Sequence, residues 1–184
     1  MYCSSLSSRM AATTQHSGFH PLTDKWVLWA HLPHDTNWTL ASYIKIMKIE
    51  TMEEMIAVVE NLPEALISNC MLFMMKEGIN PMWEDKKNRD GGCFSFKSNN
   101  KSVVNAWKNL SYAVAGNCVT KDDDIYNNIT GITISSKKSF CIIKIWMSGC
   151  SYQNPAKIEK LNGLNFQGVL FKRHANNTMG VKCN

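Results

Sequence analysis

Two tryptophans, Trp38 and Trp83, stand in polar, turn-like segments where an aromatic ring is hard to bury. The segments are "HDTNWTL" (34–40) and "INPMWED" (79–85). An exposed indole is a liability unless it meets a flat ligand. Two such rings facing each other can sandwich a planar base, and each stacked base contributes about 1–3 kcal/mol. A positive charge on the base would add a cation–π energy of up to about 2 kcal/mol in a desolvated slot.

Polar neighbours of these rings could read the base and its phosphates. An ionised Glu84 only accepts hydrogen bonds, so it could take two parallel N–H donors, such as N1–H and the 2-amino group of guanine. Lys137 and Lys138, a short distance from Trp146, could neutralise attached phosphates. Trp146 ends a strand-like run, which predicts a side chain at a sheet edge. The alternative interpretation is purely structural. Trp83 then packs over a turn, Glu84 is solvated, and Lys137 and Lys138 lie on the surface of a hairpin.

The remaining chemistry-bearing groups predict packing rather than catalysis. The chain has no nucleophile elbow, phosphate-binding loop, dinucleotide-binding loop or HExxH zinc motif. His31 and His34 flank Pro33, which prevents a shared helical face and argues against a metal site. The aspartates at 122–124 are a weak candidate for a divalent ion. We therefore predict a non-enzymatic chain without metal or cofactor. Three further tryptophans fall on apolar stripes and are predicted core residues: Trp26, Trp29 and Trp107.

Length and composition predict one domain. The chain has 184 residues, 45% of them hydrophobic, and a net charge of +5, a mild bias towards polyanionic partners. The Ser/Thr-rich start predicts a disordered tail over 1–18, with a transit peptide as the alternative, and a single domain over 19–184. No apolar run approaches the roughly 20 residues of a membrane span. Seven cysteines without a C-x-x-C pair favour reduced thiols, and we expect a cytoplasmic protein, with the nucleus as a second location.

Residue patterns beyond Phe19 predict short strands with three helices. Apolar, aromatic and β-branched runs predict seven strands, at 25–32, 40–49, 70–75, 93–97, 130–135, 140–147 and 168–171. A capping box at Thr51 begins one helix, which ends before Pro63. A second is predicted from about Ser102 to Ala115, and a third over 154–163. The run "KDDD" at 121–124 is predicted to be a solvated loop.

These elements predict an α+β fold. Three helices are too few to provide a crossover for each strand pair, so the sheet must be antiparallel and covered on one face. The other face is then partly open or curled into a cavity.

Three segments, "HPLTDKWVLW" (20–29), "GINPMWEDKKNRDGG" (78–92) and "IKIWMSG" (143–149), carry a family resemblance. In this order and spacing they closely resemble the messenger-RNA 5′-cap-binding translation initiation factors, the eukaryotic "four E" family. The resemblance spans roughly 19–174. It implies a curved, roughly eight-stranded antiparallel sheet with three helices on the convex face and a cap slot on the concave face.

The resemblance also implies roles for the residues singled out above. Trp38 and Trp83 would stack on either side of 7-methylguanine, and Glu84 would pair with N1–H and the 2-amino group. The Trp83 backbone N–H would meet O6, and Trp146 would touch the N7 methyl group. Methylation fixes a positive charge on the base, so the sandwich would distinguish a cap from ordinary guanine.

The phosphate side departs from the family pattern. Lys137 falls where the family usually has an arginine. The lysine keeps the positive charge but loses the bidentate hydrogen bonding of a guanidinium group. Ile142 occupies a usual lysine position and Cys93 a usual arginine. Lys138 or Lys144 could replace part of the missing positive charge. Because the usual arginine geometry is still absent, we predict weaker binding of the triphosphate.

The partner surface departs further. In the family, a scaffold protein of the four-G type, or a competing binding protein, lays a helix on the convex face. The matching positions here are His20, Pro21, Leu22, Met52, Ile56, Lys108, Tyr112 and Gly116. Ile56 stands where the family has a tryptophan, Lys108 where it has a leucine and Asn117 where it usually has a glutamate. The resemblance therefore implies loss of an aromatic hot spot and a charge in the groove. Met52, Met55 and Ile56 would remain as a soft apolar patch.

Three functions are then open. The first is a cap-binding factor that recruits a scaffold and promotes translation initiation on capped mRNA. The second is a divergent relative that regulates or sequesters a subset of messages without the usual scaffold. The third, a cap-hydrolysing enzyme, has no catalytic constellation to support it.

Overall fold

The computed structural model of the chain describes residues 18–174. All but the last residue of the predicted tail (1–18) lie outside this range, as do residues 175–184 of the predicted domain. Seven strands are present: β1 (Pro21–His31), β2 (Tyr43–Thr51), β3 (Met71–Lys76), β4 (Gly92–Ser98), β5 (Ile129–Ser136), β6 (Cys141–Met147) and β7 (Asn165–Arg173). Each matches one of the seven predicted apolar runs.

The strands form a single open sheet in the order β2-β1-β3-β5-β6-β4-β7. Each of the six strand pairings is antiparallel. The predicted α+β class with a curved antiparallel sheet is therefore confirmed, with seven strands among the described residues where the resemblance implied about eight. β5 and β6 lie between β3 and β4, so the β3–β4 segment (77–91) must cross the end of the sheet.

Side chains alternate between the two faces of the sheet, as the two-residue strand period requires. In β3, Leu72 and Met74 belong to the main core, whereas Phe73 and Met75 belong to a second cluster on the opposite face. The main core also contains the apolar stripe of a long helix, so the helices cover that face. We call this the helix face, and the other the slot face.

The described part of the chain contains four α-helices: α1 (Met52–Asn61), α2 (Glu64–Asn69), α3 (Val103–Ala115) and α4 (Asp123–Asn128). α1 begins with the predicted capping box, in which Thr51 accepts from the Glu54 amide while Glu54 reaches back. α3 buries Trp107 at 1% exposure, as predicted. Gly116 is its C-terminal cap residue, and the left-handed backbone falls one residue later, at Asn117.

The third predicted helix, over 154–163, is wrong. Asn154 caps a turn as expected, by accepting from the Ala156 amide, but only a 3-10 turn over Pro155–Lys157 forms. The Glu159 amide donates to the Val119 carbonyl instead of continuing a helix, and Ile158 is buried in the main core. Tertiary pairing has overridden local helix propensity.

The "KDDD" run was also wrongly predicted as a loop. Asp122 caps α4 by accepting from the Ile125 amide, and Asp123 and Asp124 form the acidic first turn. Carboxylates are favoured there by the helix dipole. Ile125 and Tyr126 follow and are buried, which anchors the helix.

Candidate functional site

Trp38 lies in the loop after β1, and two side chains fix that loop. Asp35 accepts a hydrogen bond from the Asn37 amide at 2.8 Å, and Asn37 accepts one from the Thr39 amide at 3.0 Å. Such Asx turns define a loop backbone without secondary structure. Trp38 is 51% exposed, and one of its faces is stacked on His31, with ring centroids 4.1 Å apart and planes 1° from parallel. The indole is therefore held in place while much of its surface stays accessible.

Trp83 lies in a turn that Asp85 and Asn88 hold. Asp85 accepts from the backbone and side-chain nitrogens of Asn80, at 3.1 and 2.9 Å, and from the Lys87 amide at 2.9 Å. The fully buried Asn88 donates to the carbonyls of Asn80 and Met82. Trp83 is half-buried against the slot-face cluster, whereas Glu84 is exposed. Within residues 18–174, Glu84 has no hydrogen-bond or ion-pair partner, so its carboxylate can accept from a ligand.

Tyr43 connects the two tryptophan segments. Its ring makes an edge contact with Trp38, with centroids 6.4 Å apart, and another with Phe73 at 5.3 Å. Burial, and secondarily the charge of Glu84, raise the pKa of Tyr43 to about 12. Tyr43 contacts Trp38 and packs against the same slot-face cluster as Trp83, so both segments border one site on the slot face.

Trp146 lies in the floor of this site. β6 is flanked by β5 and β4, so the predicted edge position is wrong. The side chain is 6% exposed, its Nε1 donates to Thr133 Oγ1 at 3.2 Å, and its ring lies 4.7 Å from that of His174. Gly131 pairs with Trp146 across the strands, and a Cβ at this glycine would collide with Met75. The floor is thus closely packed around the indole.

The predicted core residue Trp29 also lies on the slot face, where it is half-buried against the same cluster. Trp26, in contrast, is fully buried on the helix face, as predicted. The strand period explains this difference, because positions 26 and 29 are three residues apart and point to opposite faces.

Lys137 and Lys138 share a cavity with Trp38. They lie in the β5–β6 turn, and the cavity, of about 750 Å³, is also lined by His31 and His34. Lys144 is on the slot face, between Thr133 and Ser95 on the neighbouring strands. Ile142 and Cys93 give no charge to this face, and Cys93 is buried beside Trp146. Lys137 and Lys138 therefore lie at the Trp38 end of the slot, and Lys144 lies on the sheet itself.

The predicted partner surface is formed by His20 and the start of β1 together with α1 and α3. His20 is bound to α1, since its backbone and ring nitrogens contact Glu53 at 2.9 and 2.6 Å. Pro21 is exposed but Leu22 is only 9% exposed, and Met52 is partly buried against the main core. Of the predicted soft apolar patch, Ile56 is 47% exposed, whereas Met55 is fully buried and was wrongly included.

Lys108 and Tyr112 of α3 both donate to Glu60 of α1, each at 2.6 Å. Burial, together with the Glu60 carboxylate, raises the pKa of Tyr112 to about 12. Lys108, followed by Tyr112, lowers the pKa of Glu60. Gly116 is exposed at the end of the same helix. This polar network lies where the resemblance places an apolar peptide groove.

Within residues 18–174, no cluster of three or more His, Cys, Asp or Glu side chains is arranged to hold a metal ion. None of the helices in that range is both long enough and apolar enough to span a membrane.

Comparison with known proteins identifies the family. The family model for eukaryotic initiation factor 4E matches residues 21–180. Eukaryotic translation initiation factor 4E of Candida albicans is 32% identical over 182 residues, covering 89% of this chain and 84% of that protein. The human factor of the same name is 27% identical, covering 78% of this chain and 68% of its own length. The chain belongs to the eukaryotic initiation factor 4E family.

Solved structures agree with this assignment. One is C. elegans eIF4E-3 in complex with the 4E-binding protein Mextli and a cap analogue, at 25% identity and a TM-score of 0.63, covering 71% of this chain and 75% of that one. Another is schistosome eIF4E complexed with m7GpppG and 4E-BP, at 22% identity and a TM-score of 0.65, covering 73% and 75%. The second, at its lower identity, supports the fold alone.

Proposed function

We propose that this protein binds the 7-methylguanosine 5′ cap of mRNA on its slot face and acts in translation initiation. The observation that carries the proposal is that Tyr43, which contacts Trp38, packs against the same slot-face cluster as Trp83, the neighbour of the exposed Glu84. An accessible indole and an unpaired carboxylate at one site are what recognition of a cationic purine requires. Family membership supports the same function, as does the cap analogue in the structure of C. elegans eIF4E-3.

In this proposal, Trp38 and Trp83 stack on the two faces of the methylated base while Glu84 accepts from its N1–H and 2-amino groups. Trp146 contacts the methyl group through the small part of its edge that is exposed. The lysines at 137 and 138 neutralise the phosphates from the turn beside Trp38. Binding through stacking and hydrogen bonds needs no covalent chemistry, so we infer a binding protein rather than an enzyme.

Retention on a 7-methylguanosine triphosphate resin tests the proposal. The protein should elute with free cap analogue but not with GTP, and Trp83→Ala or Glu84→Ala should abolish retention. Asp90→Ala is a matched control, because this carboxylate is 82% exposed on the same β3–β4 segment. Equal binding of methylated and unmethylated ligand would contradict the proposal.

A scaffold of the four-G type, or a competing binding protein, would dock on the surface formed by residues 20–22, α1 and α3. The Glu60–Lys108–Tyr112 network favours a second candidate function, a divergent cap-binding relative that regulates or sequesters some mRNAs without the usual scaffold. A pull-down with a peptide carrying the motif Tyr-x-x-x-x-Leu-apolar separates the two. Tight binding supports the scaffold function, and its absence supports the second.

We also propose a cytoplasmic location, with the nucleus as a second one. The five cysteines at 70, 93, 118, 141 and 150 are free thiols, which fits a reducing compartment. Microscopy of a fluorescent fusion tests this, and secretion of the fusion would contradict it.

A further inference from the structure

Three lysines lie on the slot face of the part of the sheet formed by β6, β4 and β7: Lys97, Lys144 and Lys172. Cys93 and Trp146 identify the face, because both belong to the slot-face cluster. Lys97 follows Cys93 by four residues on β4, and Lys172 pairs with Cys93 from β7. Lys144 precedes Trp146 by two residues on β6. Strand side chains alternate with a period of two and paired residues share a face, so all three lysines project on the slot face. We call them the lysine patch.

The strands that carry the patch provide no carboxylate to balance its charge. β4, β5, β6 and β7 contain no Asp or Glu. The acidic residues of the sheet are Asp24 on β1 and Glu50 on β2, and both are ion-paired with other lysines. Within the described part of the chain, none of the patch lysines has an ion-pair partner. Lys97 instead holds its ammonium group 4.5 Å from the centre of the Phe140 ring. The patch is therefore an unneutralised positive surface.

The patch is also wide and accessible. Lys144 pairs with Ser95, which is two residues from Lys97 on β4. With strands about 4.8 Å apart and a rise of about 3.4 Å per residue, the Cα atoms of the three lysines lie about 8–14 Å from one another. Lys97 and Lys172 are exposed, and Lys144 is half-buried. The patch can therefore contact successive phosphates of an extended chain.

The patch connects the floor of the slot to an open edge of the sheet. Lys144 lies next to Trp146 on the slot face, and β7 is the last strand in the sheet order. Leu170 of β7 pairs with Ser95 on the same face and is 59% exposed, which adds an apolar surface beside the lysines. The helices of residues 18–174 pack into the main core on the opposite face. A linear ligand with one end in the slot can therefore leave the protein over β7.

We propose that the lysine patch binds the phosphates of the RNA chain that follows the cap. The proposal rests on the proposed function, because it needs the capped end of the RNA in the slot. A chain tethered by its cap is held at a high local concentration over the patch, so weak contacts there raise the affinity. An acidic protein segment would lack this tether. The contacts are electrostatic and independent of base sequence, so they weaken as salt is added.

The test compares 7-methylguanosine triphosphate with a short capped oligoribonucleotide by fluorescence titration at about 50 and about 200 mM salt. The oligonucleotide should bind the unmodified protein more tightly at low salt. Lys97→Gln combined with Lys172→Gln removes two phosphate contacts, each contributing about 0.7 to the slope of log affinity against log salt. Between the two salt concentrations, the affinity of this double variant for the oligonucleotide should therefore fall about sevenfold less than that of the unmodified protein.

Two controls match the double variant. Lys121→Gln combined with Lys157→Gln removes the same charge from positions outside the sheet and should follow the unmodified protein. Lys97→Arg combined with Lys172→Arg keeps the charge and should restore the salt slope. A capped oligonucleotide with uncharged methylphosphonate linkages should bind no more tightly than 7-methylguanosine triphosphate.

Three results would overturn the inference. The first is an unchanged salt slope in the glutamine double variant, and the second is a gain in affinity that survives methylphosphonate linkages. The third is an oligonucleotide that binds no more tightly than 7-methylguanosine triphosphate, which is also the outcome expected if the patch serves an acidic protein.

The same titrations separate this inference from the proposed function. Binding of 7-methylguanosine triphosphate without any gain from the oligonucleotide would contradict the inference alone. Indifference to methylation, with oligonucleotide binding that still depends on Lys97 and Lys172, would contradict the proposed function and leave RNA binding by the patch supported.

Discussion

Asp85 accepts two hydrogen bonds from Asn80, one from its backbone amide and one from its side-chain amide, and so closes the turn that carries Trp83 and Glu84. A third bond, from the Lys87 amide, fixes the far side of the same turn. The carboxylate therefore holds the backbone on both sides of Trp83 and Glu84.

Asp85→Ala should weaken cap binding while leaving both Trp83 and Glu84 in the chain. It removes three hydrogen bonds to a charged acceptor, so the free energy of unfolding should fall by about 1–3 kcal/mol. Affinity is measured by fluorescence titration with cap analogue, and stability by urea unfolding. Asp90→Ala should change neither. Unchanged affinity in Asp85→Ala would show that the turn is held by other contacts, such as those of Asn88.

Removing Lys137 and Lys138 together should weaken binding of the triphosphate but not of the bare methylated nucleoside. Each lysine that contacts a phosphate contributes about 0.7 to the slope of log affinity against log salt on single strands. The double alanine variant should therefore have a shallower slope. Lys121→Ala, whose side chain is 90% exposed beside the distant Glu159, is the control. An unchanged slope would assign the phosphates to other residues, with Lys144 the first to test.

Stability should fall in mild acid because of His174. Burial, and secondarily the charge of Lys144, lower its pKa from 6.5 to about 4. The unfolded chain then binds more protons than the folded one in this interval, so the stabilisation is present above about pH 6.5 and is lost as the pH falls to about 4.

His174→Phe should flatten the dependence of stability on pH over that range, because the variant has no proton to take up there. Urea midpoints measured at a series of pH values test this, with His34→Asn as the control. A variant curve that keeps the slope of the unmodified protein would contradict the assignment.

Ile56→Trp combined with Lys108→Leu should create affinity for a Tyr-x-x-x-x-Leu-apolar peptide. The tryptophan would restore an interfacial anchor, and loss of the lysine would free the groove from its ion pair with Glu60. We expect at least a tenfold gain over the unmodified protein, measured by isothermal calorimetry. Lys108→Arg keeps the charge and should gain nothing. An unmodified protein that already binds as tightly as the double variant would refute this account of the surface.

The sequence was informative where local pattern and tertiary packing agree. The capping box at Thr51 and the strand runs are local signals, and each predicted strand is present within about two to four residues at its ends. The third predicted helix failed because its backbone donates to Val119, a contact with a segment 40 residues earlier that no local pattern reveals.

The prediction of ligand-facing residues stays a prediction, and the residues that hold them in place were not predicted from the sequence. Trp38 and Trp83 were singled out because an exposed ring in a polar turn is costly without a ligand, and Glu84 because an ionised carboxylate beside such a ring can accept two hydrogen bonds. Asp85, Asn88 and Tyr43 were missed as positioning residues. Asp85 did carry a signal, since an aspartate in a turn commonly accepts from backbone amides two residues away. The stacking of His31 on Trp38 depends on a loop path that sequence alone does not define.

The strand order sets when the slot can first exist during synthesis. The Trp38 loop and the Trp83 turn leave the ribosome early, but β3 and β4 become properly spaced only when the β5–β6 hairpin is inserted between them. A nascent chain that ends before residue 129 therefore contains Trp38 and Trp83 but lacks the two strands, β5 and β6, that separate β3 from β4. Ligand capture thus reports on completed assembly, and an unfinished copy would not compete with mature molecules for a message.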